Sequence, residues 1–130
     1  EGADRDLDWA ELARLTRLGV RFLEDALEVA WWPTPELRAA ARATRRIGLG
    51  VMGFAEALFQ LGLPYDSAEA CSLGGQIMRL IGAEARSASG LLAEQRGSFP
   101  AYRGSKYERG GMPMRNSHRT SLAPTGALSI

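Results

Sequence analysis

The chain alternates long amphipathic runs with short glycine- and proline-rich breaks, which predicts helices joined by tight connections. Leu12, Leu15, Phe22, Ala26 and Val29 recur at spacings that keep them on one helical face, and Asp8 with Glu11 has capping-box spacing. A helix over about 8–30 follows, ended by Pro33 behind the aromatic pair Trp31 and Trp32, which read as packing groups. Thr34 is placed to cap a second helix over 35–44, with Pro35 in its first turn. Residues 54–61 predict a third helix stopped by Gly62. Asp66 and Glu69 repeat the capping-box spacing ahead of a fourth helix over about 67–96. Its apolar stripe is Leu73, Ile77, Leu80, Ile81, Ala88, Leu91 and Leu92.

The intervening stretches are less regular. Ile47 to Met52 is apolar and glycine-rich, and fits either a strand or an extended entry into the next helix. Residues 98–114, rich in Gly, Pro and charge, predict a long surface connection, of a length that usually has a task or a neighbour to lie on. Residues 117–130 predict a strand that breaks into a Pro-Thr-Gly turn. The expected fold is mainly α with one or two short strands, one unit over 1–130 without internal repeats.

Composition narrows the class without choosing a function. With 130 residues, 45% hydrophobic positions and a net charge of +1, the chain fits a globular, cytoplasmic protein rather than a disordered one. No apolar run reaches the length of a membrane span, and the start EGADRDLDW lacks the features of a signal peptide. Cys71 is the sole cysteine and His118 the sole histidine, so neither an internal disulfide nor a Cys/His metal cluster is expected. Cys71 reads as a small packed helix residue and His118 as a strand-surface residue rather than a general base.

Charge is uneven along the chain. An acidic first helix containing Glu24, Asp25 and Glu28 precedes basic groups at Arg38, Arg42, Arg45 and Arg46, then at Arg103, Lys106, Arg109, Arg115 and Arg119. These lack a continuous basic stripe with interleaved aromatics, so they predict a solvated surface or a positive potential near a phosphorylated small molecule, and no nucleic-acid partner.

Two short motifs bear on ligands. Gly48-Leu49-Gly50-Val51-Met52-Gly53 matches the dinucleotide pattern G-x-G-x-x-G, but it follows Arg45 and Arg46 instead of an apolar strand, and no ribose-binding acid follows at the right distance. Its glycines read instead as places where backbones cross closely. The turn Ala123, Pro124, Thr125, Gly126, Ala127, Leu128 and Ser129 is a candidate anion cradle: Pro124 fixes one backbone angle, Gly126 frees another, and Thr125 and Ser129 add hydroxyls beside backbone N–H groups.

Taken in order, RFLEDALEV from Arg21, the Pro33 after an aromatic pair, IGLGVMGFAEAL from Ile47, LGLPYDS from Leu61, LLAEQRGSFPAY from Leu91 and RNSHRTSLAPTGALSI from Arg115 resemble successive blocks of the large, catalytic chain of ribonucleotide reductases. The likeness is nearest to the adenosylcobalamin (vitamin B12)-dependent class, chiefly through GLGVMGFAEAL. The resemblance implies an internal fragment of the family's ten-stranded α/β barrel. It further implies a parent enzyme that reduces ribonucleoside diphosphates to deoxyribonucleotides by thiyl-radical chemistry, with adenosylcobalamin as cofactor and a thiol reductant such as thioredoxin.

By the same resemblance, residues 123–129 correspond to the loop that holds the substrate's phosphates, although Ala127 stands where many relatives have Thr. The family's radical cysteine, its Asn-x-Cys-x-Glu setting and its C-terminal cysteine pair have no counterpart in this chain. No catalytic residue is therefore expected here, Cys71 is not the radical residue, and the isolated piece is expected to be inactive. Two alternatives remain: a large-chain fragment of a metal-radical class I reductase, and a non-catalytic helical binding module.

Overall fold

A computed structural model of the chain describes residues 6–123. Helix α1 spans Trp9–Val29, α2 Pro35–Thr44, α3 Phe54–Leu61, α4 Ala68–Arg96 and α5 Lys106–Arg109, with a 3-10 turn at Pro100–Tyr102. The helical boundaries follow local chemistry. The Asp8 carboxylate accepts the Glu11 N–H at 2.8 Å, and Thr34 Oγ1 accepts that of Leu37 at 3.3 Å. Gly62 closes α3 in a left-handed conformation, φ 72°. The cap of α4 is Ser67, whose hydroxyl accepts from Ala70 N–H at 3.1 Å, one residue later than the Asp66–Glu69 spacing predicts.

The two long helices, α1 and α4, pack on each other and form the frame. Their shared core comprises Val20, Leu27, Ala85, Ala88 and Leu92, joined by Ile47. Alanines at the contact let the helices approach closely, because a methyl side chain adds little bulk between two backbones.

The buried face of α1 differs from the expected one. Ala13, Thr16, Val20, Glu24 and Leu27 point inward, whereas Leu15, Phe22 and Val29 are exposed, Val29 to 85%. The apolar stripe was misleading because the inward face carries two polar residues. Thr16 satisfies its hydroxyl on the Leu12 carbonyl at 2.8 Å, and Glu24 is neutralised by partners described below. On α4 the stripe holds at Ile77, Ile81, Ala88 and Leu92, but Leu91 is exposed, and so is Cys71, contrary to its reading as a packed residue.

Residues 98–114 are not a featureless connection. Phe99, Tyr107 and Met114 bury together, with Phe99 edge-to-face on Tyr102 at 5.7 Å and on Tyr107 at 6.1 Å between ring centroids. Phe99 N–H donates to the Met114 carbonyl at 3.0 Å, closing the base of the excursion. Its aromatics, spaced three and five residues apart, were the overlooked sign of a small core of its own.

Strand content among the described residues is a single parallel bridge, Leu49 with Thr120. The mainly helical class therefore holds, while the described residues form no barrel; the strand expected over 117–130 is reduced to this extended pairing, and 124–130 lie outside the described residues.

Two outcomes are expected. Ala85 is fully buried at the α1–α4 contact, so Ala85→Leu should destabilise the chain by about 1–3 kcal/mol through overpacking, measured by urea unfolding. Arg96 first, then Arg21, holds the Asp25 carboxyl below its ordinary range through hydrogen bonds. A carboxyl depressed in the folded state stabilises above its unfolded pKa, and that contribution is lost as pH falls through the folded value. Unfolding midpoints of the native chain and of Asp25→Asn should therefore differ at neutral pH and converge in acid.

Candidate functional site: a charged core around Glu24 and Asn116

The residues leading into the turn are held by a buried polar network. Glu24, on the inward face of α1, has no solvent exposure. A carboxylate in that position requires cationic or hydrogen-bonding partners, since uncompensated burial of a charge is prohibitive. Arg45 supplies Nε at 2.9 Å and Nη2 at 2.6 Å to Oε1, and Arg115 supplies Nε at 2.6 Å to the same oxygen. Asn116 Nδ2 donates to Oε2 at 2.6 Å. Half-exposed Glu28, one turn along α1, takes Arg45 Nη2 at 2.6 Å and shares the positive charge.

Arg45 reaches this carboxylate because it terminates α2 in the left-handed region, φ 46°, a conformation unfavourable for a residue with a Cβ. The ion pairs and the Arg45 N–H to Ala41 carbonyl bond, 2.8 Å, hold it there. Arg115 is fixed at its other end by the carbonyls closing α4, Arg96 at 2.9 Å and Gly97 at 3.2 Å, which suits a cation at the negative end of a helix.

Asn116 is likewise fully buried and completes a closed set of bonds. Its backbone N–H donates to Ser89 Oγ at 2.9 Å, the Ser89 hydroxyl donates to Asn116 Oδ1 at 3.0 Å, and Asn116 Nδ2 also reaches the Arg45 carbonyl at 3.1 Å. Ser89 belongs to α4, Glu24 to α1 and Arg45 to the end of α2, so a single asparagine joins three elements to the entering segment.

Beyond Asn116 the chain runs parallel to residues 44–49. Ser117 N–H donates to the Thr44 carbonyl at 3.2 Å, Ile47 N–H to His118 at 3.1 Å, Leu49 N–H to Arg119 at 2.8 Å, and Ser121 N–H to Leu49 at 3.0 Å. Glycine is required along this seam. A Cβ on Gly50 would stand 2.6 Å from the Ser121 backbone oxygen, and one on Gly48 2.9 Å from Ser121 Cβ. The G-x-G-x-x-G run thus serves close backbone crossing, and its last glycine, φ 76°, opens α3. Arg119 lies over the Tyr107 ring at 5.3 Å and donates to the Asn116 carbonyl at 3.0 Å, tying the aromatic excursion to the same segment.

The expected site residues fall at the end of this track. Ala123 is exposed, three residues past the bridge at Thr120, while Pro124, Thr125, Gly126, Ala127, Leu128 and Ser129 lie outside the described residues. His118 is exposed, as a surface residue should be. Two members of the basic groups are reassigned: Arg45 and Arg115 are not solvated surface charges but partners of Glu24. An apolar cleft lined by Leu12, Leu15, Met52, Phe54 and Ile77 has carboxylates at its rim and no cation, which does not suit a phosphate. Among the described residues no group of three or more His, Cys, Asp or Glu is arranged to hold a metal, and no helix is long and apolar enough to cross a membrane.

Glu24, Ser89 and Asn116 were not singled out by pattern. One signal was present: Glu24 sits four residues after Val20 and three before Leu27, so a charge falls on what proves to be the core face.

The chain belongs to the ribonucleotide reductase barrel-domain family, whose profile matches residues 2–114. It is 52% identical to the vitamin B12-dependent ribonucleoside-diphosphate reductase of Mycobacterium tuberculosis (strain CDC 1551 / Oshkosh), over 98% of this chain and 18% of that protein. Against the protein of the same name from Thermoplasma acidophilum, identity is 44% over 97% of this chain and 16% of the other. The ribonucleoside-diphosphate reductase subunit alpha of Chlamydia muridarum is 40% identical over 85% of this chain and 11% of its own length. The chain thus spans less than a fifth of the curated relatives it matches.

Two substitutions test the geometry. Glu24→Ala should cost about 3–5 kcal/mol in urea unfolding, since it removes the acceptor shared by buried Arg45 and part-buried Arg115 and leaves them only half-exposed Glu28 as a carboxylate partner. Gly50→Ala should destabilise by about 1–3 kcal/mol through its clash with backbone at Ser121, and hydrogen exchange at the Ser121 amide should accelerate.

Proposed function

We propose that this chain is a segment of the catalytic barrel of an adenosylcobalamin-dependent ribonucleoside-diphosphate reductase, and that it contributes the loop binding the substrate's phosphates. The observation carrying this reading is its likeness, along nearly its whole length, to two reductases named as vitamin B12-dependent. The M. tuberculosis match covers 128 of 130 residues, so at most two residues fall outside it and most of the turn falls within. The outward apolar face of α1, with Leu15, Leu18, Phe22 and Val29 exposed, fits a helix that other parts of a ten-stranded α/β barrel cover.

In this reading the turn Ala123, Pro124, Thr125, Gly126, Ala127, Leu128 and Ser129 receives a diphosphate on its backbone N–H groups and on the hydroxyls of Thr125 and Ser129. Charge-assisted hydrogen bonds of this kind hold an anion in a fixed place, so the segment binds and orients substrate and does not perform the radical step. Adenosylcobalamin supplies radical initiation in the complete enzyme. In this reading the cofactor's site belongs to the remainder of the reductase chain, as do the radical cysteine and the thiols that a reductant such as thioredoxin renews. A class I assignment has in its favour the likeness to a Chlamydia reductase named as a subunit alpha, a name that fits a chain working with a second subunit, at lower identity and coverage.

In the complete reductase, Thr125→Val should raise KM for ribonucleoside diphosphates roughly tenfold to a hundredfold and change kcat far less. Nucleotide reduction should require added adenosylcobalamin. Activity that instead depends on a separate metal-bearing subunit would establish the class I assignment.

A further inference from the structure

We infer that Asn116, held by Ser89 and Glu24, is a positioning residue for substrate binding: it pins the register of the segment that delivers the phosphate turn. The inference rests on the phosphate-loop reading above and concerns residues outside that loop.

Parallel pairing between residues 44–49 and 117–121 is short and consists of four backbone bonds of 2.8 to 3.2 Å, with only one bridge. So brief a pairing specifies register weakly by itself. A slip of one residue would displace the entry to the turn by roughly 3.3 Å and turn alternate side chains to the opposite face. Asn116 stands at the start of the pairing and removes that freedom. Its Nδ2 binds the Arg45 carbonyl, two residues before the first paired amide at Ile47, so the asparagine ties the two segments directly.

Ser89 prevents Asn116 from rotating. The hydroxyl accepts from the Asn116 backbone and donates to its side-chain oxygen, so both backbone and side chain are fixed by one group on α4. Arg115 N–H adds a bond to the Ser89 carbonyl at 3.0 Å. Glu24 takes the remaining direction through Nδ2. The asparagine cannot shift along the seam without breaking several buried hydrogen bonds at once, which is the requirement for a register pin. A serine hydroxyl is not needed for packing alone, because alanine would fill nearly the same volume.

The test is steady-state kinetics of the complete reductase with Ser89→Ala, Thr125→Val and Leu92→Ala. Ser89→Ala should raise KM for ribonucleoside diphosphates roughly tenfold and leave kcat within about twofold. Leu92→Ala removes a buried side chain one turn along α4, outside the Asn116 network, and should lower the unfolding temperature without moving KM. Thr125→Val tests the loop reading independently.

If Thr125→Val raises KM and Ser89→Ala does not, the positioning role is overturned while the loop reading stands. If Leu92→Ala raises KM as much as Ser89→Ala, the effect is general loosening and the inference is overturned. If Thr125→Val leaves KM unchanged, the loop reading fails and the inference falls with it. Asn116→Ala should act in the same direction as Ser89→Ala and more strongly; should it fail to fold, Ser89→Ala still decides.

Discussion

The fold depends on one buried carboxylate. Glu24 lies within the α1–α4 frame without solvent exposure, and Arg45, Arg115 and Asn116 converge on its carboxyl oxygens. The partners come from two separate segments: the left-handed end of α2 and the extended run that follows the aromatic excursion. A hydrophobic residue in place of Glu24 could pack the two helices equally well, and buried ion pairs are often no more stabilising than such replacements. What an apolar residue could not do is specify where two guanidinium groups and an amide must be placed. Directional bonds to a single acceptor do this, and they account for the expenditure of a charge in the core.

The rest of the architecture follows from that requirement. Arg45 adopts a strained backbone conformation because its side chain must reach inward, and glycines succeed it because the returning segment lies against them. The small aromatic core around Phe99 returns the chain to Arg115 after α4, and Arg119 over Tyr107 fastens its far side. Helix packing, loop core and parallel pairing meet at Asn116, ahead of the turn proposed to bind phosphate.

Much of this was legible in the sequence, for identifiable reasons. Helix limits were readable because their stop and start signals are local: Asp8, Thr34, Gly62 and Gly97 act on their own neighbours. The inward face of α1 was not, since amphipathic pattern equates apolar with buried, and here Phe22 and Val29 point outward while Glu24 and Thr16 point in. Polar burial is decided by partners far along the chain, which periodicity does not register. The candidate turn at 123–129, read from residue types and family likeness, lies outside the described residues from Pro124 onward, whereas Ser89 and Asn116 are commonplace letters whose meaning arises only from their juxtaposition.

The long sequence separation inside the charged core has a consequence for the order of assembly. Glu24 and Asn116 are 92 residues apart, and Arg45 and Asn116 are 71 apart. During synthesis α1 is complete well before Asn116 exists, so the α1–α4 contact can begin to form while one side of Glu24 is still held by water. The hydrophobic frame can thus form early, whereas closing the core requires a long loop and late desolvation of the carboxylate. Folding of this segment is therefore expected to end where its proposed function begins, with the extended run from Arg115 to Thr120 docking last, onto a frame already built to receive it.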